Sequence, residues 1–180
     1  VHLVPFGEFT PFISSLRNLI SFFDMPMSDI TSGNYNQDPI LVSSNPVIEA
    51  APLICFDIAF GNTVGKSNIS SLFMINISND TWFGNSIGPH QHLDIARVRS
   101  IENNRWMIRA TNDGFSAIID NNGTIVDKLD KGVSGVLNSS IKLEKTRTFY
   151  SKYGYYLPYL LALSILIFSV IINICSRKFF

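Results

Sequence analysis

A chain of 180 residues with 46% hydrophobic residues can bury a real core, and its length supports one domain of ordinary size with an appendage. Fourteen basic and fourteen acidic residues cancel, which removes any electrostatic reason to expect nucleic acid as a partner. The two cysteines stand in unlike settings, Cys55 inside the domain and Cys175 at the end of an apolar tail, so no disulfide is expected. No Cys and His spacing suits a metal ion, and His90 and His92, two apart, do not share a helix face. The chain opens Val1-His2-Leu3 without an initiating Met and reads as the remainder of something longer.

Residues 1–12 read as a short strand and then a loop punctuated by Pro5, Gly7 and Pro11, with Glu8 set among Phe6, Phe9 and Phe12. A carboxylate among aromatics is either solvated at a loop tip or held for chemistry. Apolar residues at helical spacing, Ile13, Leu16, Leu19, Ile20 and Phe23, predict a helix over 13–23, followed by a polar loop over 24–38. Short strands are predicted at 40–42 and 47–51, on either side of the turn Ser43-Ser44-Asn45-Pro46.

The stretch Pro52-Leu53-Ile54 ends at Cys55, and the residues that follow have the spacing of an opening helix. The thiol is thereby expected on a tight turn between strand and helix, the kind of position that exposes a nucleophile near free helical N–H groups. A small buried hydrophobe fits the same pattern, and this stretch alone leaves both readings open.

Further along, 58–64 is predicted helical and 72–77, a run apolar but for Asn76, a fully buried central strand in which Asn76 is a buried position. It leads into the polar and aromatic loop Ser78-Asn79-Asp80-Thr81-Trp82-Phe83-Gly84, expected to line the same sheet edge as Cys55. Gly88-Pro89 opens the longest helical pattern, 90–104, with Leu93, Ala96, Val98 and Ile101 as its apolar positions. Arg97, Arg99, Glu102 and Arg105 read as its solvated face, Arg99 and Glu102 at ion-pair spacing. A strand at 106–110, a turn at 111–114 and a hairpin of 115–120 with 124–128 about Asn121-Asn122-Gly123 follow, then a last strand at 135–141. This alternation builds a layered α/β domain.

From Leu157 to Cys175 there are 19 residues without a charge. As a helix they span roughly 28 Å, against a hydrocarbon core of about 30 Å. Tyr153, Tyr155, Tyr156 and Tyr159 form an aromatic belt at one end, and Arg177 and Lys178 close the other. The tail is therefore read as a transmembrane helix over 155–175 with a short basic end at 176–180. Lys142, Lys145, Arg147 and Lys152 outnumber the basic residues after the span, and this count does not fix the topology.

Several stretches, in order, carry a resemblance: Leu3-Val4-Pro5-Phe6-Gly7-Glu8, Leu53-Ile54-Cys55-Phe56-Asp57, the loop from Asn76 to Gly84, Gly88-Pro89-His90-Gln91-His92-Leu93, Ala96-Arg97 to Arg105, and Arg109-Ala110-Thr111-Asn112-Asp113-Gly114. Over 1–120 the sequence resembles the nitrilase, or carbon-nitrogen hydrolase, superfamily, and within it the membrane branch of apolipoprotein N-acyltransferases. The resemblance implies an α-β-β-α sandwich, of which 1–150 is the C-terminal part, and a tail matching the family's last transmembrane helix. It implies a triad of nucleophilic Cys, general-base Glu and Lys, with no cofactor and no metal. Cys55 is then the nucleophile and Glu8 the additional active-site carboxylate, with Phe56, Asp57 and Trp82 in support of substrate binding. The family's base lies in an upstream Trp-Pro-Glu motif and its Lys falls just before Val1, so residues 1–180 alone are expected not to turn over. After the Cys the family commonly carries Tyr and Glu. Phe56 lacks that hydroxyl, and Asp57 is one methylene shorter.

The implied reaction moves an acyl chain from a phospholipid through a Cys55 thioester to the N-terminal amine of an apolipoprotein. It places a multi-pass protein in the bacterial inner membrane with its catalytic domain facing the periplasm. A membrane-tethered amidase of the same superfamily and an inactive remnant are the alternatives.

Overall fold

Among the described residues six strands lie side by side in the order in which the chain makes them. The computed structural model describes residues 2–4, 8, 31–34, 36–154 and 156–177. The sheet comprises β1 (Ile40–Ser44), β2 (Val47–Ile54), β3 (Phe73–Asn79), β4 (Met107–Asn112), β5 (Ser116–Ile119) and β6 (Ile125–Leu129). β2, β3 and β4 are parallel, and the outer pairings are antiparallel. Parallel neighbours need crossovers. The first is the 3-10 helix Cys55–Ala59 with α1 (Gly61–Ser67), and the second is the 3-10 helix Asp80–Phe83 with α2 (Gly88–Asn103). Both crossovers step the same way across the sheet, and the right-handed rule then puts both helices on one face.

That face holds the main core: Ala51, Leu53, Met74, Met107, Ala117 and Ile119 pack against Ile58, Val64, Leu93 and Ala96. Strand alternation sends Phe73, Trp106 and Ile118 to the other side, where Leu137 and Ile141 cover them in part. The mixed α/β sheet is the fold class the resemblance implies, and the described residues supply one sheet and one helix layer of it. α3 (Phe149–Tyr153), N-capped by the Thr148 hydroxyl, leads to α4 (Tyr156–Arg177). The 19 residues Tyr156–Ile174 of α4 are long and apolar enough to cross a membrane, and none of that stretch is buried.

Four expectations are corrected. The segment 135–141 is not a strand; it runs without regular structure and lays Leu137 and Ile141 on the sheet's second face. β3 is not buried on both sides: among the described residues helices cover one face only, and Ile77 is 56% exposed. The helical stretch expected over 58–64 breaks at Phe60 into the 3-10 helix and α1. The fourth concerns α2, whose buried residues are Pro89, His92, Leu93, Ala96, Arg99, Ser100 and Asn103. These share one helical stripe. Val98 and Ile101, taken as core positions, are 45% and 51% exposed, while Arg99 and Arg105, taken as solvated, are buried. The helix expected over 13–23 lies outside the described residues, and residues 2–4 form no strand.

Arg105 shows why burial was possible. Its Nε donates to the Ser71 carbonyl at 2.8 Å, and its Nη1 to the carbonyls of Asn104 at 3.0 Å and Thr146 at 2.6 Å. One guanidinium thus ties together a loop before β3, the end of α2 and the irregular segment that leads into α3. Arg105→Ala should destabilise the domain by about 3 kcal/mol, because it leaves several carbonyls without partners. Asp94→Ala removes the exposed partner of Arg97 and should cost less than about 1 kcal/mol. Chemical denaturation of the two variants reads the contrast.

Candidate active site

Cys55 is the first residue after β2 and has φ +46°, a left-handed conformation that a residue with a Cβ adopts only under constraint. The constraint is visible around it. The Asp57 carboxylate accepts the Ile54 N–H at 3.3 Å, closing the turn from below. From α2, His92 Nε2 lies 3.3 Å from the Cys55 carbonyl oxygen. About two turns further along the same stripe, Arg99 donates to the carbonyls of Ile58 at 2.7 Å and Ala59 at 3.0 Å, satisfying the end of the 3-10 helix. Arg99 is itself paired with Glu102 at the spacing read from the sequence.

Register supplies the other neighbour. Ile54 pairs with Ile77 across the parallel ladder, so the residues one step on, Cys55 and Ser78, come together, and Ser78 Oγ lies 3.3 Å from Cys55 Sγ. Beneath them is a buried polar cluster. Asp80, fully buried, accepts from Ser78 Oγ at 2.6 Å and from Arg109 Nη2 at 2.8 Å, and its Oδ1 is 2.9 Å from His92 Nδ1. Arg109 also bonds Asn76, whose Nδ2 donates to the Leu53 carbonyl at 3.1 Å. The pairing of Asn76 with Arg109 in the ladder places both side chains on the helix-covered face. Gly114 makes room, since a Cβ there would stand 2.4 Å from Asp80 Oδ2.

Burial alone would raise the Asp80 pKa. The hydrogen bonds from His92 and Ser78 and the Arg109 charge outweigh it, holding the carboxyl below its ordinary 3.8. Burial lowers the Arg109 pKa, with the Asp80 charge opposing. Folded Asp80 therefore binds fewer protons than the unfolded chain, and the stability it contributes is complete above its unfolded pKa and lost as pH falls through the folded one.

A short arm completes the site. The His2 N–H donates to Asp57 Oδ1 at 2.9 Å, and the His2 ring stacks on Phe60 with centroids 3.7 Å apart. Two residues on, the Val4 N–H donates to Glu8 Oε2 at 2.9 Å and the Glu8 N–H returns to the Val4 carbonyl at 2.9 Å. Glu8 and Cys55 consequently line one cavity of about 130 Å³ with Val4, Phe56, Asn79, Trp82, Phe83 and His92. On its other side Cys55 meets a second cavity of about 220 Å³ that His2, Asp57, Thr31 and Gly33 help to line. Four of the residues singled out from sequence, Cys55, Glu8, Phe56 and Trp82, meet at the first cavity. Asp57 points instead to the arm and the second cavity. Trp82 is 69% exposed at the rim. Among the described residues no group of three or more His, Cys, Asp and Glu side chains could hold a metal ion.

The carbon-nitrogen hydrolase family model matches residues 1–150. The chain belongs to the carbon-nitrogen hydrolase family. Among its relatives, a protein of Shewanella oneidensis named apolipoprotein N-acyltransferase is 42% identical over 154 residues, 85% of this chain and 29% of that protein. One of the same name from Photobacterium profundum is 37% identical over 172 residues, 95% of this chain and 33% of its own length. The chain thus spans about a third, or slightly less, of the curated relatives it matches. Among solved structures, an amidase from Nesterenkonia sp. overlays on 57% of this chain and 40% of its own, with a TM-score of 0.46 and 18% identity.

Sequence reading expected the loop that holds Ser78 and Asp80 to line the Cys55 edge but gave neither residue a role of its own, and it did not single out His92, Arg99 or Arg109 for the candidate site. Their signal was the helical period of His92 and Arg99 with Leu93 and Ala96, and the alternation of Asn76 and Ser78 with Met74. Asp80→Ala should cost about 3–5 kcal/mol in unfolding experiments, because it leaves Arg109 buried without its counter-charge. Asp80→Asn should also remove part of the stability that the parent protein loses on acidification below about pH 4.

Proposed function

We propose that the chain is the Cys-bearing part of an apolipoprotein N-acyltransferase that works by a Cys55 thioester. The observation that carries this reading is the meeting of Cys55 and Glu8 at a cavity walled by Val4, Phe56, Trp82 and Phe83. The names of relatives about 40% identical over most of the chain support it. In the first step the Cys55 thiolate attacks a phospholipid ester carbonyl. The C–S bond forms, the ester C–O bond breaks, and the lysophospholipid alkoxide leaves with a proton. In the second the α-amine of a diacylglyceryl-modified N-terminal cysteine attacks the thioester; the amide C–N bond forms and the thiolate departs. The family's general base and Lys precede this stretch, and the base takes a proton in each step while the Lys steadies the oxyanion.

Glu8 serves as the additional carboxylate of the site, held toward Cys55 by its own turn with Val4. Asp57 supports it indirectly, by anchoring the arm at His2. Phe56 and Trp82 give the acyl chain an apolar path from solvent to sulfur. α4 spans the inner membrane, and the domain faces the periplasm, which brings both lipid-borne substrates to the surface from which the domain rises.

Incubating the full-length protein with labelled phospholipid should give a hydroxylamine-labile adduct on Cys55. Its survival in Cys55→Ala would remove the assignment. Trp82→Ala, at so exposed a position, should change stability by less than about 0.5 kcal/mol. It should nevertheless lower acyl transfer at least about tenfold, the loss of roughly one buried aromatic contact. Normal kinetics in that variant would take Trp82 out of the acyl path.

A further inference from the structure

The cluster beneath Cys55 contains one hydrogen atom with two claimants. Ser78 Oγ stands 2.6 Å from Asp80 Oδ1 and 3.3 Å from Cys55 Sγ. A hydroxyl has a single hydrogen and two lone pairs, so it donates to the carboxylate or to the sulfur and not to both. While Cys55 is a thiol, the shorter charge-assisted bond to Asp80 takes that hydrogen, and the S–H can donate to Ser78 Oγ in return. Once the thiol is ionised, the sulfur has no hydrogen to give and becomes an anionic acceptor. Asp80 can release the Ser78 hydrogen at that moment, because Arg109 Nη2 at 2.8 Å and His92 Nδ1 at 2.9 Å still face its two oxygens. Ser78 and Asp80 are both buried, so the two partners of the hydroxyl are the carboxylate and the sulfur.

We infer that Ser78 is the hydrogen-bond donor to the Cys55 thiolate, its hydroxyl turning from Asp80 to the sulfur as the sulfur gains charge and back again as the thioester forms. No covalent bond is made or broken at Ser78, and it keeps its proton throughout. The thiol proton goes to the general base, and only the direction of one O–H changes. Asp80, Arg109 and His92 act through Ser78 as positioning residues: they fix the hydroxyl at the height of the sulfur and give its hydrogen somewhere to rest. The inference rests on Cys55 being the nucleophile.

Alkylation of Cys55 by iodoacetamide, followed across pH by mass mapping of its peptide in the full-length protein, reads the thiolate directly. Ser78→Ala should move the midpoint upward by about one pH unit, about a tenfold loss of thiolate below it, since a bond to the charged form is removed. Ser78→Thr, which keeps the hydroxyl, should restore the parent midpoint. An unmoved midpoint in Ser78→Ala overturns the inference. Should that variant fail to accumulate, Ser78→Thr against Ser78→Val makes the same comparison at matched shape, and equal midpoints overturn it. Labelled phospholipid in the same samples separates the two levels of the argument. An adduct that persists in Cys55→Ala removes both the nucleophile and its donor, whereas a normal Cys55 adduct with an unshifted alkylation midpoint removes Ser78 alone.

Discussion

Asp80 and Arg109 bring opposite charges into the same dry space, and most of the site is arranged around that pair. Each charge would be prohibitive alone at such depth, and together they are tolerable only if the remaining donors and acceptors are also met. Asn76 takes one arm of the guanidinium, while Ser78 and His92 take one oxygen of the carboxylate. Each of those residues then reaches outward, Asn76 to the β2 backbone, Ser78 to the sulfur and His92 to the carbonyl of Cys55. The elbow is therefore held from its own side of the sheet by groups whose geometry the ion pair dictates. Only Arg109 Nε and a few other atoms in the described residues lack a partner at full burial.

How much of this was legible in the sequence follows from what pattern reading measures. The strand core around Cys55, the hairpin at Asn121-Asn122-Gly123 and the long apolar helix were readable because composition and period agree there. α2 defeated the apolar rule at specific positions. Its buried stripe contains His92, Arg99, Ser100 and Asn103, so hydrophobicity is nearly uniform around the helix and the exposed Val98 and Ile101 look like core. The 135–141 segment has strand-like composition, yet among the described residues it pairs with no strand and uses Leu137 and Ile141 as a cover instead. For the candidate site, Cys55, Glu8 and Trp82 were singled out in the sequence, and the three line one cavity. The polar cluster was not, because nothing local says that a strand Asn, a loop Asp, a helix His and a strand Arg converge.

Asp57 shows how a short carboxylate can serve two segments of chain at once. A side chain one methylene shorter than Glu still spans from the elbow to two partners, the Ile54 N–H on one oxygen and the His2 N–H on the other. Its reach is sufficient because the arm approaches the elbow directly, with the His2 ring flat against Phe60. The carboxylate joins two pieces of chain 55 residues apart in sequence, and the placement of Glu8 depends on that joint.

The polar stripe of α2 also governs how the domain can assemble. An oily helix face can slide along a sheet and remain partly content at many registers. This one cannot, because a shift of one turn, about 5.4 Å, would strand His92 and Arg99 away from the carbonyls and carboxylates that receive them. Placements off this register lack the compensating bonds, and the observed register is the one that also locks the Cys55 turn. The register of α2 is thus set by polar bonds as well as by Leu93 and Ala96, and the same bonds give the elbow its shape.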